Sequence, residues 1–304
     1  MPMDVLTRLA VMIGLLTVGV GLRRVGVLDA TRVEWLNSVA FYVVLPALVF
    51  NSTYDKPLAE IITPTLLVGL VVVLGITAGV GWLVHRRITD DGARAAATVQ
   101  SYHTNLGYIG LPVVASALGE RAAGIGSVIL GMGALVQIPL TVSILVAVTG
   151  NSRNFRSEVR RLATNPVLVA LVIGLAVSRS PATVTGIPAD VIALVAEAAL
   201  PVALLCVGGS IQLQSMEADR SIVGSVLAMK LLVMPVVAWV VYAALGADLW
   251  TLRTAVVMFG APAAVSTFVY VTEMGGDRRL ASILVFLSTV ASAFTLSAWI
   301  AIVP

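Results

Sequence analysis

The sequence predicts an all-α integral membrane protein of ten transmembrane helices, arranged as two inverted five-helix repeats. First, 59% of the 304 residues are hydrophobic and 12% are charged, and the mean hydropathy is +1.00. A soluble fold of this composition would expose too much apolar surface to water, whereas lipid favours that surface. Second, ten apolar runs are long enough to cross a bilayer. Third, the fourth and ninth runs are both interrupted by Gly and Pro near their middle.

Apolar runs of about 17 to 25 residues span the hydrocarbon core of a bilayer as helices. They lie near residues 5–22, 36–53, 62–84, 94–117, 123–149, 166–180, 189–211, 221–246, 252–274 and 281–303. Run six is the shortest. Run one differs from a secretory signal because its basic pair, Arg23 and Arg24, follows the apolar stretch, so we expect it to be retained.

Basic residues predict the orientation in the cell membrane. Thirteen of them lie in loops after odd-numbered runs: Arg23, Arg24, Arg32, Arg86, Arg87, Arg94, Arg153, Arg156, Arg160, Arg161, Arg220, Arg278 and Arg279. The opposite side has five: Arg8, Lys56, Arg121, Arg179 and Arg253. The positive-inside rule therefore predicts that both termini are non-cytoplasmic.

The hydrophilic stretch at 151–165 is expected to be a cytoplasmic linker between a first repeat, 1–150, and a second repeat, 166–304. Five runs in each half give the halves opposite topologies, which is typical of an inverted repeat. The halves also correspond weakly in sequence. Leu45-Pro46-Ala47-Leu48 in run two matches Leu200-Pro201-Val202-Ala203 in run seven, and the interrupted runs four and nine start at a similar offset.

The two interruptions are the most informative local feature. Run four contains Asn105-Leu106-Gly107-Tyr108-Ile109-Gly110-Leu111-Pro112, and run nine contains Gly260-Ala261-Pro262-Ala263-Ala264-Val265-Ser266. Gly and Pro disrupt the helical hydrogen-bond ladder, and lipid cannot satisfy the freed backbone groups. A pair of such breaks in corresponding positions of two halves indicates the binding site of a transporter. The alternative is that the prolines only kink packed helices.

These motifs resemble the auxin efflux carrier family, in its prokaryotic, PIN-FORMED-like branch. The resemblance rests on Asn-x-Gly-x-x-Gly-x-Pro at 105–112, Leu-Pro-Ala-Leu-Val-Phe at 45–50, Leu-Pro-x-Ala-Leu-Leu-x-x-Gly-Gly-Ser at 200–210 and Ala-Pro-x-x-x-Ser at 261–266. It implies that helices four and nine cross at their proline breaks and that a transport part moves against a scaffold part. It also implies small organic anions, such as dicarboxylates, as substrates. The long hydrophilic loop of many plant members is absent.

An anionic substrate also fits the physics of the breaks. Half-helices that resume at Pro112 and near Pro262 would each direct N-terminal amides, equivalent to about half a positive charge, at the midplane. The candidate substrate-binding residues are Asn105, Gly107, Gly110, Pro112, Pro262, Ser266 and Thr267. Asn105 either donates to a carboxylate or caps the broken helix. Ser266 and Thr267 either bind substrate or only join helices.

Ionisable residues inside membrane runs are candidates for a proton or charge role. They are His103, Glu197 and Lys230. The alternatives are a neutral His103 bonded to a neighbouring helix, and structural roles for Glu197 and Lys230, either as a pair or reaching the interface. Gln137, just before Pro139, is expected to hydrogen-bond to another helix. The single cysteine, Cys206, excludes an internal disulfide and a cysteine-built metal cluster, so we expect no metal and no cofactor.

The sequence lacks the His-Glu-x-x-His, Gly-x-x-x-x-Gly-Lys and Gly-x-Ser-x-Gly motifs, so we expect no enzymatic activity. The expected function is secondary transport or uniport of a small organic anion by alternating access, in a lipid bilayer and without nucleic acid. Two alternatives stay open: a sodium- or proton-coupled carrier of bile-acid-symporter-like architecture, and a non-transporting receptor or scaffold. Runs four and nine carry no Asp or Glu between Arg94 and Glu120 or between Arg253 and Glu273, which favours weak or absent cation coupling. A homodimer is possible on the sequence.

Overall fold

The structure, a computed structural model, describes residues 2–56, 61–151, 164–181, 183–210 and 218–303, with the side chains of 2–10, 12 and 210 left aside. Every regular element in these ranges is a helix, apart from one isolated antiparallel β-bridge between Thr104 and Ala263. The expectation of an all-α integral membrane protein is confirmed. Most of the expected linker, residues 152–163, lies outside the described ranges, as do four of the arginines that predict orientation.

Fifteen α-helices and three short π-helical turns make up the described fold, and each of the ten apolar runs contains helical residues. In the first half they are α1 (Pro2–Arg24), α2 (Ala30–Val39), a π-turn (Ala40–Val44), α3 (Leu45–Asn51), α4 (Pro64–His85), α5 (Asp91–Gln100), a π-turn (Leu106–Gly110), α6 (Leu111–Leu118) and α7 (Glu120–Thr149). In the second half they are α8 (Pro166–Arg179), α9 (Ile187–Glu197), α10 (Ala199–Ser210), α11 (Arg220–Ala228), a π-turn (Met229–Val233), α12 (Met234–Ala244), α13 (Leu249–Gly260), α14 (Val265–Glu273) and α15 (Arg278–Ile302).

Six helical stretches of the described residues are long and apolar enough to cross a membrane. They are Ala30–Asn51, Pro64–His85, Glu120–Thr149, Ile187–Gly209, Arg220–Ala244 and Arg278–Ile302. Three further apolar helices are shorter: Leu106–Leu118, Pro166–Arg179 and Leu249–Gly260. The chain is therefore a multi-pass membrane protein. Two of the three short helices belong to the interrupted runs, where the break itself shortens the continuous helix.

Each π-turn lies directly before a proline-containing helix start. Pro46, Pro112 and Pro235 are each the second residue of the α-helix that follows a π-turn. Proline lacks an N–H, and its ring clashes with the carbonyl four residues earlier in an α-helix. The wider π-turn relieves that clash while the chain remains helical. The prolines of runs two, four and eight thus bend helices and do not end them.

Acidic side chains serve mainly at helix starts. Five of them accept a hydrogen bond from a backbone N–H of the helix that they precede: Asp29, Asp90, Asp219, Asp248 and Asp277. An N-terminal cap of this kind satisfies one of the four orphan N–H groups of a helix. These carboxylates stand at loop ends, so they leave the apolar interior without the cost of a buried charge.

The interrupted helices α5 and α13 lie in the interior. Nearly all residues of α5 from Ala93 to Gln100 and most of α13 are buried. Helices α7 and α15, the two longest described helices, pack against both of them. The breaks are therefore surrounded by protein. Irregular backbone inside a membrane is tolerated only where protein buries it or where it lines a water-filled cavity.

The backbones of helices α1 and α10 pack directly against each other at Gly19 and Gly208, which have no side chains to keep them apart. A Cβ atom added at Gly208 would lie 2.5 Å from the Leu16 carbonyl oxygen and 3.0 Å from the Cα atom of Gly19. Small residues allow such close packing, which replaces the absent hydrophobic driving force between helices in lipid.

We expect Gly208→Ala to lower the free energy of unfolding by about 1 to 3 kcal/mol, because the methyl group forces α1 and α10 apart. Thermal unfolding in detergent measures the effect. Gly75→Ala in α4 is the matched control, since a Cβ there meets nothing within 4 Å. Equal melting temperatures for both variants would contradict the close contact.

Candidate functional site

The two breaks meet and satisfy each other through their backbones. A short non-helical segment follows each of α5 and α13. The Asn105 N–H donates to the Pro262 carbonyl oxygen over 2.8 Å, and the Ala264 N–H donates to the His103 carbonyl oxygen over 3.1 Å. These two bonds flank the antiparallel bridge between Thr104 and Ala263. Backbone groups that the breaks free from helices are thus paired across the interface, which we call the crossover (residues 101–105 and 261–264).

Two side chains from neighbouring helices complete the crossover. The Thr104 N–H donates to Gln137 Oε1 of α7 over 2.7 Å, and the Ala263 N–H donates to Ser288 Oγ of α15 over 3.3 Å. Gln137 was expected to bond to another helix, and it bonds instead to the non-helical break of run four. Ser288 was missed in the sequence analysis, because one serine in an apolar helix carries no signal about its partner.

The half-helices resume at positions different from those expected. The first resumes at Leu106, well before Pro112, and Asn105 is its N-terminal cap, with Oδ1 accepting from the Tyr108 N–H over 3.0 Å. The second resumes at Val265, after Pro262, and its N-cap residue Ala264 offers no side-chain acceptor. The half-helix begins after Asn105 and not at Pro112, because the Asn105 side chain caps an N–H of its first turn. Pro262 instead supplies a carbonyl acceptor to the crossover.

A cavity of about 260 Å³ lies beside the crossover. Its polar or flexible lining residues are His103, Thr104, Asn105, Gly107, Tyr108, Gln137, Asn165, Ser266 and Tyr270. Four predicted site residues, His103, Asn105, Gly107 and Ser266, therefore line one cavity. A Cβ at Gly107 would make only ordinary contacts, 3.4 Å or longer, with Leu45 and Leu130.

Three other predicted site residues lie next to the crossover but outside this cavity lining. A Cβ at Gly110 would approach Met258 Sδ at 3.2 Å, so Gly110 allows close packing of the first half-helix on α13. Thr267 is buried, and its hydroxyl donates to the Ala264 carbonyl oxygen over 2.6 Å within its own helix start. Pro262 is the crossover acceptor. Their positions indicate structural roles.

The donors that face the cavity are neutral. Asn105 is 3% exposed, and its Nδ2 atom is buried without a hydrogen-bond partner in the described part of the chain. The first N–H groups of α14, beside Ser266, have no side-chain cap. No Asp, Glu, Lys or Arg is among the described lining residues. Two helix N-termini and an unpaired amide lie at this cavity, and each of them favours a negative group.

His103 is held by α7. Its Nδ1 atom lies 2.7 Å from Thr141 Oγ1, and the Tyr102 hydroxyl lies 2.7 Å from the same oxygen. The alternative of a histidine bonded to a neighbouring helix is confirmed by this contact. A proton-carrying role for His103 stays a prediction.

Lys230 and Glu197 lie in different surroundings. The Lys230 amino group is fully buried, and its Nζ donates to the Phe259 carbonyl oxygen over 2.9 Å and to Met234 Sδ over 3.1 Å. It therefore caps the carboxyl end of α13, the negative end of that helix dipole. Glu197 is the last residue of α9 and lines a second cavity of about 410 Å³.

The second cavity lies along α6, the helix that follows the first break and its π-turn. Pro112, Ala115 and Ser116 of α6 line it, together with residues of α3, α7, α9 and α10. At the start of α7, Glu120 also lines it and forms an ion pair with Lys56 over 2.9 Å. Pro112 and Glu197 are thus the two predicted site residues that line this cavity.

Comparisons with known proteins show the family of this chain. A family model described as "Membrane transport protein" matches residues 4–300. A protein of Rhizobium meliloti (strain 1021) named "Putative malonate transporter" is 26% identical over 280 residues, which cover 86% of this chain and 84% of that relative. An "Uncharacterized transporter" of Methanothermobacter thermautotrophicus is 24% identical over 287 residues, which cover 94% of each chain.

We expect Asn105→Ala to lower the free energy of unfolding by about 0.5 to 2 kcal/mol, because the Tyr108 N–H loses its cap. Asn105→Ser should retain most of the stability, since a serine hydroxyl can accept the same bond. Melting temperatures of the two variants and wild type, measured in detergent without ligand, test this. If both variants melt like wild type, Asn105 is not a cap.

Proposed function

Because the chain belongs to the membrane transport protein family, the family of the auxin efflux carriers that it resembles, we propose that it moves a small organic anion across the cell membrane by alternating access. One observation carries the proposal. The unpaired amide of Asn105 and the uncapped N-terminus of α14 converge on the 260 Å³ cavity at the crossover. An unpaired buried amide is unfavourable, and a ligand acceptor would relieve that cost.

The electrostatics of the cavity support an anion. Two helix N-termini together are equivalent to about one positive charge, and low-dielectric surroundings strengthen their effect. A carboxylate can accept bonds from the Asn105 amide, the Ser266 hydroxyl and the free N–H groups of α14. A small dicarboxylate such as malonate, which the name of one relative specifies, is our candidate substrate.

We propose transport without a coupling cation. A sodium ion at such a crossover would need oxygen ligands, and freed carbonyls of the broken helices are the nearest ones. The Phe259 carbonyl at the end of α13 already accepts a bond from Lys230. We propose that the Lys230 amino group, by bonding this carbonyl, takes the place that a coupling cation would otherwise fill. We propose no covalent chemistry and no enzymatic activity for this chain.

The two cavities support alternating access. The 260 Å³ cavity lies next to Asn165 and α14, near the loops that the basic residues predict to be cytoplasmic. The 410 Å³ cavity lies next to Ser52 and Glu120, near the opposite loops. The half-helix that follows the first break lines both of them, the smaller cavity with its π-turn and the larger one with α6. We propose that ten helices in two inverted five-helix repeats, residues 1–150 and 166–304, rock about the crossover, with both termini non-cytoplasmic.

The transport prediction uses purified protein in liposomes. Wild type should take up radiolabelled malonate and should not take up neutral malonamide, since the cavity selects the charge. Asn105→Ser should weaken the apparent affinity roughly tenfold to a hundredfold, the loss expected for a hydrogen bond to a charged group. Ser143→Ala, at an exposed position of α7, is the control.

Equal uptake of malonate and malonamide would overturn the anion proposal. Uptake that needs an imposed sodium or proton gradient would favour the coupled carrier of bile-acid-symporter-like architecture. Tight malonate binding without any flux would favour a receptor.

The topology prediction uses single cysteines in a Cys206→Ser background. Thr89→Cys and Thr185→Cys both replace exposed loop threonines. We expect an impermeant thiol reagent added to right-side-out vesicles to label Thr185→Cys, and Thr89→Cys to react only after the membrane is permeabilised. Labelling of both from one side would contradict the inverted repeat.

A further inference from the structure

We propose that a hydrogen-bond relay from Tyr102 through Thr141 holds His103 in the neutral tautomer that carries its proton on Nε2, so that His103 donates this N–H to the substrate carboxylate. The relay stands on geometry alone, whereas the donation rests on the proposed function. His103 is then a third neutral donor in the 260 Å³ cavity, beside Asn105 and the N-terminus of α14.

The side chains of Tyr102, His103 and Thr141 form a buried, hydrogen-bonded group. Tyr102 and Thr141 are fully buried, and His103 is 4% exposed. Thr141 Oγ1 lies 2.7 Å from both the Tyr102 hydroxyl and His103 Nδ1. Two other buried threonines, Thr53 and Thr77, donate to the carbonyl four residues earlier, as Thr77 does to Val73. Within the described residues, the Thr141 hydroxyl instead has only these two hydrogen-bond partners.

Counting hydrogens selects one arrangement. The threonine hydroxyl has one hydrogen and two lone pairs, and the tyrosine hydroxyl has one hydrogen. If Tyr102 donates to Thr141 and Thr141 donates to His103 Nδ1, both hydroxyl hydrogens are used and Nδ1 is an acceptor. A neutral imidazole with an accepting Nδ1 carries its hydrogen on Nε2.

The reverse arrangement leaves a hydrogen unpaired. If His103 Nδ1–H donates to Thr141, either the Tyr102 hydrogen or the Thr141 hydrogen loses its acceptor. No other acceptor lies within bonding distance of either hydroxyl in the part of the chain that the structure describes. An unpaired hydrogen in a fully buried site is unfavourable. The same reasoning disfavours a doubly protonated ring.

The relay leaves Nε2 available to the cavity. His103 lines the cavity, and Nδ1 on the other side of the ring is occupied by α7. The His103 carbonyl accepts the Ala264 N–H of the crossover, so backbone and ring are both fixed. The ring also contacts the Tyr270 ring, with centroids 6.2 Å apart. A donor held on both sides can meet a carboxylate with little loss of freedom.

Nitrogen NMR of the imidazole tests the relay. The chain has two histidines, so a His85→Asn background leaves His103 as the single ring. In full-length protein labelled with ¹⁵N-histidine, we expect a protonated Nε2 and an unprotonated Nδ1. Thr141→Val should mix the two tautomers, Thr141→Ser should restore the first, and Thr77→Val should change nothing. A proton on Nδ1, or on both nitrogens, in wild type overturns the proposal.

Malonate is the probe for donation. Its addition should shift the Nε2 signal of wild type, and Thr141→Val should weaken malonate binding roughly threefold to tenfold, the loss of one modest hydrogen bond. If malonate is transported but does not shift the Nε2 signal, His103 does not donate to the substrate. If wild type neither binds nor transports malonate, the proposed function is wrong. The tautomers measured in wild type and in Thr141→Val still show whether the relay exists.

Discussion

The fold depends on one constraint: backbone groups released at two broken helices inside a membrane protein must find partners without water. In this chain each break supplies the partners of the other. The Asn105 N–H meets the Pro262 carbonyl, and the Ala264 N–H meets the His103 carbonyl. Neither break could exist alone at this depth, since an unpaired buried amide or carbonyl is costly. The two halves of the chain are therefore joined at their most irregular points.

This constraint also explains where polar side chains stand. Gln137 and Ser288 approach the crossover because the Thr104 and Ala263 N–H groups need acceptors. Lys230 approaches the end of α13 because a terminal carbonyl needs a donor. Acidic residues cap helices at loop ends, and none is among the described residues that line the crossover cavity. The cavity thus keeps a positive character without any charged side chain in its lining.

The sequence predicts much of this and misses the parts that depend on three-dimensional pairing. Composition and run length predict the membrane class, and paired Gly and Pro locate both breaks. Proline did not locate the helix starts, because Asn105 caps a π-turn that already begins at Leu106, ahead of Pro112. The local role of Thr267, the contact of Ser288 and the Thr141 relay depend on which helix faces which. Apolar helices with scattered hydroxyls carry no periodic signal for that choice.

A crossover made from backbone separates stability from selectivity. Main-chain bonds between the two breaks do not depend on side-chain identity, so residues such as Ala263 and Ala264 can be small and apolar. The side chains that project from the crossover into the cavity, Asn105 and His103, are then free to serve recognition. The Asn105 side chain serves both stability and recognition. Its oxygen caps a helix, whereas its nitrogen has no partner within the described residues and is available to a ligand. A site of this kind can change its ligand by changing a few projecting side chains while the bridge that supports them stays the same.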